Sequence, residues 1–318
     1  MTTTFPVAVH LSHPYLTQYQ IETLSTRIRL LQTTESKELQ LRLSACCWMQ
    51  AVGRTLQFPV RSIGTAMMLY TRFHLFHAIS DFNSNDVASA CLFVASKMED
   101  TSKKAKDILT AVYAYRHPQG PDLNPDSATL EEQRKRLLGL ERMILEVHCF
   151  DFRARHPQAP LIKFARHHKV TKETTWLAWQ LCADSYKTYA PHKVPPHGIA
   201  QACLSLACRL RQEPCSFPLQ HISQVQLEET QEDLLDLYLN NRQYTTLDME
   251  MDEQALMEIK SALAVTHNGR AVTKAIHSAY DILQAPSNMT FVGDKGTCRF
   301  VLHKERLDAE MIDAMDEA

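Results

Sequence analysis

ASACLFVASKMED, residues 88–100, is the stretch on which the fold turns. It is a run of small and apolar residues that nevertheless carries Lys97 near its end. A second stretch, LLGLERMILEVHCFDF at 137–152, sets Glu141 among aliphatic residues in the same way. Lys and Glu are seldom fully buried without a partner. Two such charges on two separate apolar helices therefore mark a place where chemistry or recognition is expected.

Working outward, Val87, Cys91, Val94 and Met98 form one face at the 3.6-residue period of a helix. The same face recurs as Ile199, Cys203, Leu206 and Leu210, every member displaced by 112 residues. Ala90-Cys91-Leu92 matches Ala202-Cys203-Leu204, and Ala95-Ser96-Lys97 matches Ala207-Cys208-Arg209. A constant offset across a whole face favours an internal duplication over coincidence. The small residues suit a helix surrounded by others, because Ala, Cys and Ser let neighbouring backbones come close.

The rest of the chain is read as helical. Its 318 residues include only 8 glycines, which argues against a turn-rich β protein and against a glycine-dependent phosphate loop. A helix is expected over 15–31, then others near 39–57, along the Ile63, Ala66, Met67, Tyr70, Phe73 face, from Asn83 onward, and near 103–116. Pro59 separates the second of these from the third. The stretch 118–127 reads as a loop, and Thr129 with Glu132 as a capping box for a helix reaching about His148. After Phe152 the pattern restarts, with helices near 158–168, 172–189, 196–211 and 228–243. Residues 1–14 read as extended, 250–283 as one or two helices, 289–306 as a small hairpin around Gly293 and Gly296, and the acidic end as frayed.

A net charge of −2 gives no support to broad attraction toward nucleic acid or a membrane. Short basic runs such as Arg134-Lys135-Arg136 read as solvated helix faces. The nine cysteines show no Cys-x-x-Cys spacing and read as reduced core residues of an intracellular protein. MTTTFPVAVHLSHPY has no signal-peptide pattern, and no apolar run is long enough to span a bilayer. The fifteen histidines, His167-His168 and His192 with His197 among them, match no tight ligand spacing, so neither metal nor cofactor is expected. No P-loop, nucleophile elbow or kinase catalytic-loop pattern is present, and no catalytic residue is assigned.

ASACLFVASKMEDTSKKAKDI, GRTLQFPVRSIGTAMMLYTRFHLF and the -FDFRARHP- junction together resemble the cyclin family, in particular the transcription-type cyclins T, K and C. The opening HLSHPYLTQYQIE and the length are most similar to the cyclin (beta) subunits of fungal C-terminal-domain kinases. The resemblance implies an all-α fold of tandem five-helix cyclin boxes with an N-terminal helix and a C-terminal extension. The expected divisions are 1–38, 39–153, 154–246 and 247–318. It implies a non-catalytic regulatory subunit, with the nucleus as the expected compartment and the cytoplasm as the second. Such a subunit activates a cyclin-dependent kinase acting on the heptad-repeat tail of RNA polymerase II and promotes transcription elongation, with a third subunit in the complex.

Lys97 and Glu141 occupy the positions of the family's kinase-gripping pair, and Met98, Leu145, Phe150 and Phe152 match positions that pack on the kinase. The chemistry suits the role, since Lys donates to backbone carbonyls and Glu accepts from backbone amides whatever the partner's side chains. The alternative is that the two charges serve only each other. The sequence departs from cell-cycle cyclins at the substrate-docking patch. Trp48 stands in its column, but Ser44 and Ala45 replace the bulky aliphatics, so Trp48 is read as core. Two competing functions share the fold: a promoter-binding factor like general transcription factor IIB, and a scaffold without kinase activation. The first needs a basic surface and usually a zinc ribbon, and the sequence supplies neither.

Overall fold

A computed structural model describes residues 8–12, 15–29, 34–119, 128–214, 223–246, 252–268 and 297–301. Helix α1 spans Gln18–Arg29. The first helical unit follows as α2 (Glu35–Thr55), α3 (Val60–Phe73), α4 (Ser84–Met98), α5 (Ala105–Arg116) and α6 (Ala128–Val147). The second comprises α7 (Gln158–His167), α8 (Lys172–Ser185), a single turn α9 (Ala190–Lys193), α10 (Pro196–Leu210), α11 (Gln224–Asn240) and α12 (Glu253–Asn268).

The duplication extends into backbone geometry. Helices α3 and α8 are both 14 residues long, α4 and α10 both 15, and each pair starts at the 112-residue offset. The chain leaves α2 through Gln57 at φ 57° and α7 through Lys169 at φ 54°; it leaves α4 through Asp100 and α10 through Gln212, both at φ 53°. The closing hydrogen bonds correspond too. Phe58 N donates to Gly53 O (2.9 Å) as Val170 N does to Ala165 O (3.0 Å), and Thr101 N to Ser96 O (2.9 Å) as Glu213 N to Cys208 O (2.9 Å). Each is the six-residue closure that terminates a helix through a left-handed residue. Beyond α10 the correspondence lapses, because α11 starts later than the offset from α5 would place it.

In each unit one helix is enclosed by the others. Helix α4 packs against α2, α3, α5 and α6, and α10 against α7, α8, α11 and α12. On α4, Ala88, Ala90, Cys91 and Ala95 are all fully buried, as the small-residue pattern requires. Asn83 caps α4 by accepting hydrogen bonds from the amides of Asn85 and Asp86. The units meet where Gly64 of α3 lies under the ring of Tyr186, so close that a Cβ there would sit 2.7 Å from it. Helix α1 clasps the same junction. Leu16 and Ile21 pack with Leu75, and Leu16 N donates to His192 O at 2.6 Å.

Several local expectations need correction. The helix expected over 172–189 stops at Ser185: the amides of Lys187 and Thr188 bond three residues back, to Asp184 O (2.9 Å) and Ser185 O (3.0 Å), and the tightened turn leads into α9, which carries Pro191 in its first turn. The following helix covers 224–240 rather than 228–243 and gives way to a 3₁₀ turn at Arg242–Tyr244. Helix α6 begins at Ala128, so Thr129 lies within its first turn and does not cap it. Among the described residues Thr297–Val301 pairs antiparallel with Ala8–Ser12 from the other end of the chain, residue 8 opposite 301 and 12 opposite 297. The remainder of the expected hairpin, the 120–127 part of the expected loop, the 269–283 part of the expected C-terminal helices and the acidic end lie outside the described residues. Trp48 is half-buried against the first core, its ring edge-on to Tyr115 at 6.4 Å.

Candidate functional site

Packing of α4 against α6 brings the two signal charges together. Lys97 Nζ lies 2.6 Å from Glu141 Oε1, with the side chains 48% and 16% exposed. Nζ also sits 4.0 Å from the centroid of the Phe93 ring, one turn earlier on α4. The pair therefore exists in the free chain, held at the surface with its lysine side open to solvent.

The apolar members of the expected site divide into two kinds. Met98 and Leu145 are half-buried and rest on the core of the first unit. Phe150 and Phe152 are 56% and 55% exposed. Their exposure follows from how α6 ends. Phe150 N closes onto Leu145 O at 2.9 Å, and Cys149 and Phe150 both take positive φ, 53° and 55°. Two successive left-handed residues without glycine are unfavourable, and such strain gathers at recognition sites. The turn carries the chain away from the core and leaves the Phe150 and Phe152 rings in water. Next, Arg153 grips Asp151 through two side-chain bonds of 2.8 and 2.7 Å, and these bonds hold the Asp151 carboxyl below its ordinary range.

Beneath this surface lies a polar relay that the sequence did not disclose. Glu99 Oε1 accepts from Thr65 Oγ1 at 2.8 Å and lies 2.9 Å from His156 Nε2. His156 Nδ1 lies 2.7 Å from the Tyr186 hydroxyl, which donates to Gln158 Oε1 at 3.2 Å. The relay ties the end of α4 to the connecting segment and to the end of α8. A second hub fixes the far side. Asp184, fully buried, accepts from Lys187 Nζ (2.8 Å), the Tyr238 hydroxyl (2.5 Å) and both the amide and hydroxyl of Thr246 (2.9 Å each). Arg42 donates to Lys187 O at 3.0 Å and covers the Tyr189 ring. No pattern in the sequence links these positions, because their neighbours come from distant helices.

Among the described residues no cluster of His, Cys, Asp and Glu has a metal-ligating arrangement, and no helix is long and apolar enough to cross a membrane. The rings of His167 and His168 meet edge-on at 4.8 Å, while His192 is buried in α9.

Known proteins agree with this architecture. Residues 4–153 match the cyclin N-terminal domain. The CTD kinase subunit beta of Schizosaccharomyces pombe is 42% identical over 247 residues, spanning 76% of this chain and 72% of that protein. Cyclin-T1-4 of Arabidopsis thaliana is 28% identical over 217 residues, spanning 65% of this chain and only 40% of that longer protein. Among solved structures, a chain of the yeast RNA Pol II CTD kinase CTDK-1 complex superimposes with a TM-score of 0.69 at 25% identity, covering 79% of this chain and 84% of that one. A chain of the Chaetomium thermophilum CAK complex shares the fold at a TM-score of 0.52 and 14% identity, covering 79% and 76%. With two offset-related helical bundles, a surface charge pair at the end of the enclosed helix, and a relative of this identity, the chain belongs to the cyclin family, among its transcription-type members.

Proposed function

We propose that this chain is the regulatory subunit of a transcription-class cyclin-dependent kinase, which it binds and activates to phosphorylate the heptad-repeat tail of RNA polymerase II during transcription elongation in the nucleus. The observation that carries the reading is the solvent-open Lys97–Glu141 pair, in a unit that also exposes Phe150 and Phe152 just past α6. The 42% identity to a protein named CTD kinase subunit beta supports the choice of kinase class.

In this reading the phenyl rings supply apolar contact. Lys97 and Glu141 exchange their mutual bond for bonds to the kinase's main chain, where loss of water strengthens them. The subunit does no chemistry. Its binding energy favours the kinase conformation in which the kinase's own Lys–Glu pair and metal-binding aspartate are aligned with ATP. Residues 39–153 form the kinase-facing box and 154–246 the second box. Helix α1 and the segment 247–318 are the surfaces we assign to further contacts with the kinase and a third subunit.

The test is purification of the tagged chain from its native cells, with the Lys97→Ala/Glu141→Ala variant in parallel and polymerase-tail peptides as substrate. Co-purifying kinase and activity, both lost in the variant, are expected. Recovery of DNA-bound promoter factors without a kinase sinks the proposal.

A further inference from the structure

A cavity of about 250 Å³ lies between the two helical units. Arg72 of α3, His148 beyond α6 and His192 of α9 line it, with Arg153 and Arg155 of the connecting segment. Arg72 and His192 are each only 2% exposed. His192 hydrogen-bonds the Met68 carbonyl, and its Nε2 meets no partner among the described residues. The ring of His148 lies 3.5 Å from the Leu69 carbonyl. Asp151 is the one carboxylate in the lining, and Arg153 occupies both its oxygens. The remaining charge in the cavity is positive.

Electrostatics agrees with this picture. Burial, reinforced by the charge of Arg72, pushes His148 well below its ordinary range and His192 down to about 3. Burial is the larger cause and the neighbouring guanidinium charge adds to it, so an anion in the cavity would offset the second part at both imidazoles at once. Guanidinium groups match the oxygens of a phosphoryl group through paired hydrogen bonds.

We propose that this inter-unit cavity is a phosphoryl-binding site, with Arg72 and Arg155 as its charge partners and the His148 and His192 rings as the walls that sense the bound charge. Two sources carry that chemistry: free phosphate, and a phosphorylated serine or threonine on a bound protein. The cavity is larger than one phosphate requires, and Met98 lies at its wall, so a phosphoryl group on a partner docked beside Lys97 is within its reach. That last placement rests on the kinase reading; the site itself does not.

The full chain is titrated with inorganic phosphate, and separately with a phosphothreonine peptide and its unphosphorylated twin. Ionic strength is held constant with chloride, and the histidine ring signals are followed by NMR. Saturable movement of the His148 and His192 signals is expected, weakened about tenfold or more by Arg155→Ser at the exposed mouth. Arg72→Lys, which keeps the buried charge, is expected to weaken binding less than Arg155→Ser. A peptide that saturates below free phosphate assigns the site to a phosphorylated partner; equal or weaker peptide binding assigns it to the free ion. Signals that move no more with phosphate than with chloride, or titrations unaffected by Arg155→Ser, overturn the site. Kinase co-purification is read independently, so either result leaves the other standing.

Discussion

Replacing Lys97 and Glu141 together by alanine separates stability from recognition. In the free chain the pair is short, 2.6 Å, but Lys97 is 48% exposed. Solvent screening and the entropy of holding the lysine limit such a pair to about 0.2–1 kcal/mol. For a chain of this size that corresponds to no more than about 2–4 °C in melting temperature. The same side chains inside a dry interface, each bonded to main-chain groups of a kinase, contribute about 1.5–3 kcal/mol apiece. Losing both weakens kinase binding by about two to four orders of magnitude, since each 1.4 kcal/mol is tenfold. The assay pairs thermal unfolding of the variant with a titration of immobilised kinase. A nearly unchanged melting temperature with binding reduced at least a hundredfold is the expected result. If binding survives, or falls only as far as stability does, the pair is a structural bridge and the kinase sits elsewhere.

Three further outcomes follow from the geometry. Asp184→Asn leaves Lys187 buried without its counter-charge and should lower stability by about 3–5 kcal/mol, measured by urea unfolding. Lys187 Nζ also donates to the Tyr244 carbonyl at 2.6 Å, and an unchanged urea midpoint would show that this bond alone satisfies the ammonium. Gly64→Ala drives a methyl into a Tyr186 ring already held by His156 and Gln158, so it should cost about 1–3 kcal/mol and loosen the two units against each other, seen as faster hydrogen exchange in α9. Burial holds His74 down to about 4 and His192 to about 3, so both stay neutral in the folded chain while the unfolded chain takes up protons below about pH 6.5. Their contribution is complete above that pH and is lost progressively as pH falls toward 4 and 3. Each histidine removes up to about 1.4 kcal/mol per pH unit over that window. His192→Gln should flatten the dependence of urea midpoint on pH between 6.5 and 4, and an equally steep dependence in that variant would refute the assignment.

Much of this protein was legible in one dimension because its signals are local or periodic. Helix faces repeat every 3.6 residues, so α3, α4 and α10 declared themselves through apolar spacing. The duplication showed as one offset, 112, and the structure carried that offset into helix lengths and left-handed closures. Lys97 and Glu141 were conspicuous because each charge interrupts an otherwise apolar helical run. Helix ends were read less well. Thr129 resembled a cap by spacing alone, yet α6 had already begun, and α8 tightened into a turn after Ser185 where propensity carried the helix through to 189.

Partnership between distant residues belongs to the tertiary structure alone. Thr297–Val301 pairs with Ala8–Ser12 from the other end of the chain. Glu99, His156 and Tyr186 meet because three different segments converge, and so do Asp184, Lys187, Tyr238 and Thr246. The same convergence gathers Arg72, His148 and His192 around one cavity. A hydrogen bond or an electrostatic field depends on ångström distances between side chains, and sequence separation carries no record of those distances. The amino-acid order determined which helices form and which faces they bury; their packing decided which polar groups those faces bring within reach of one another.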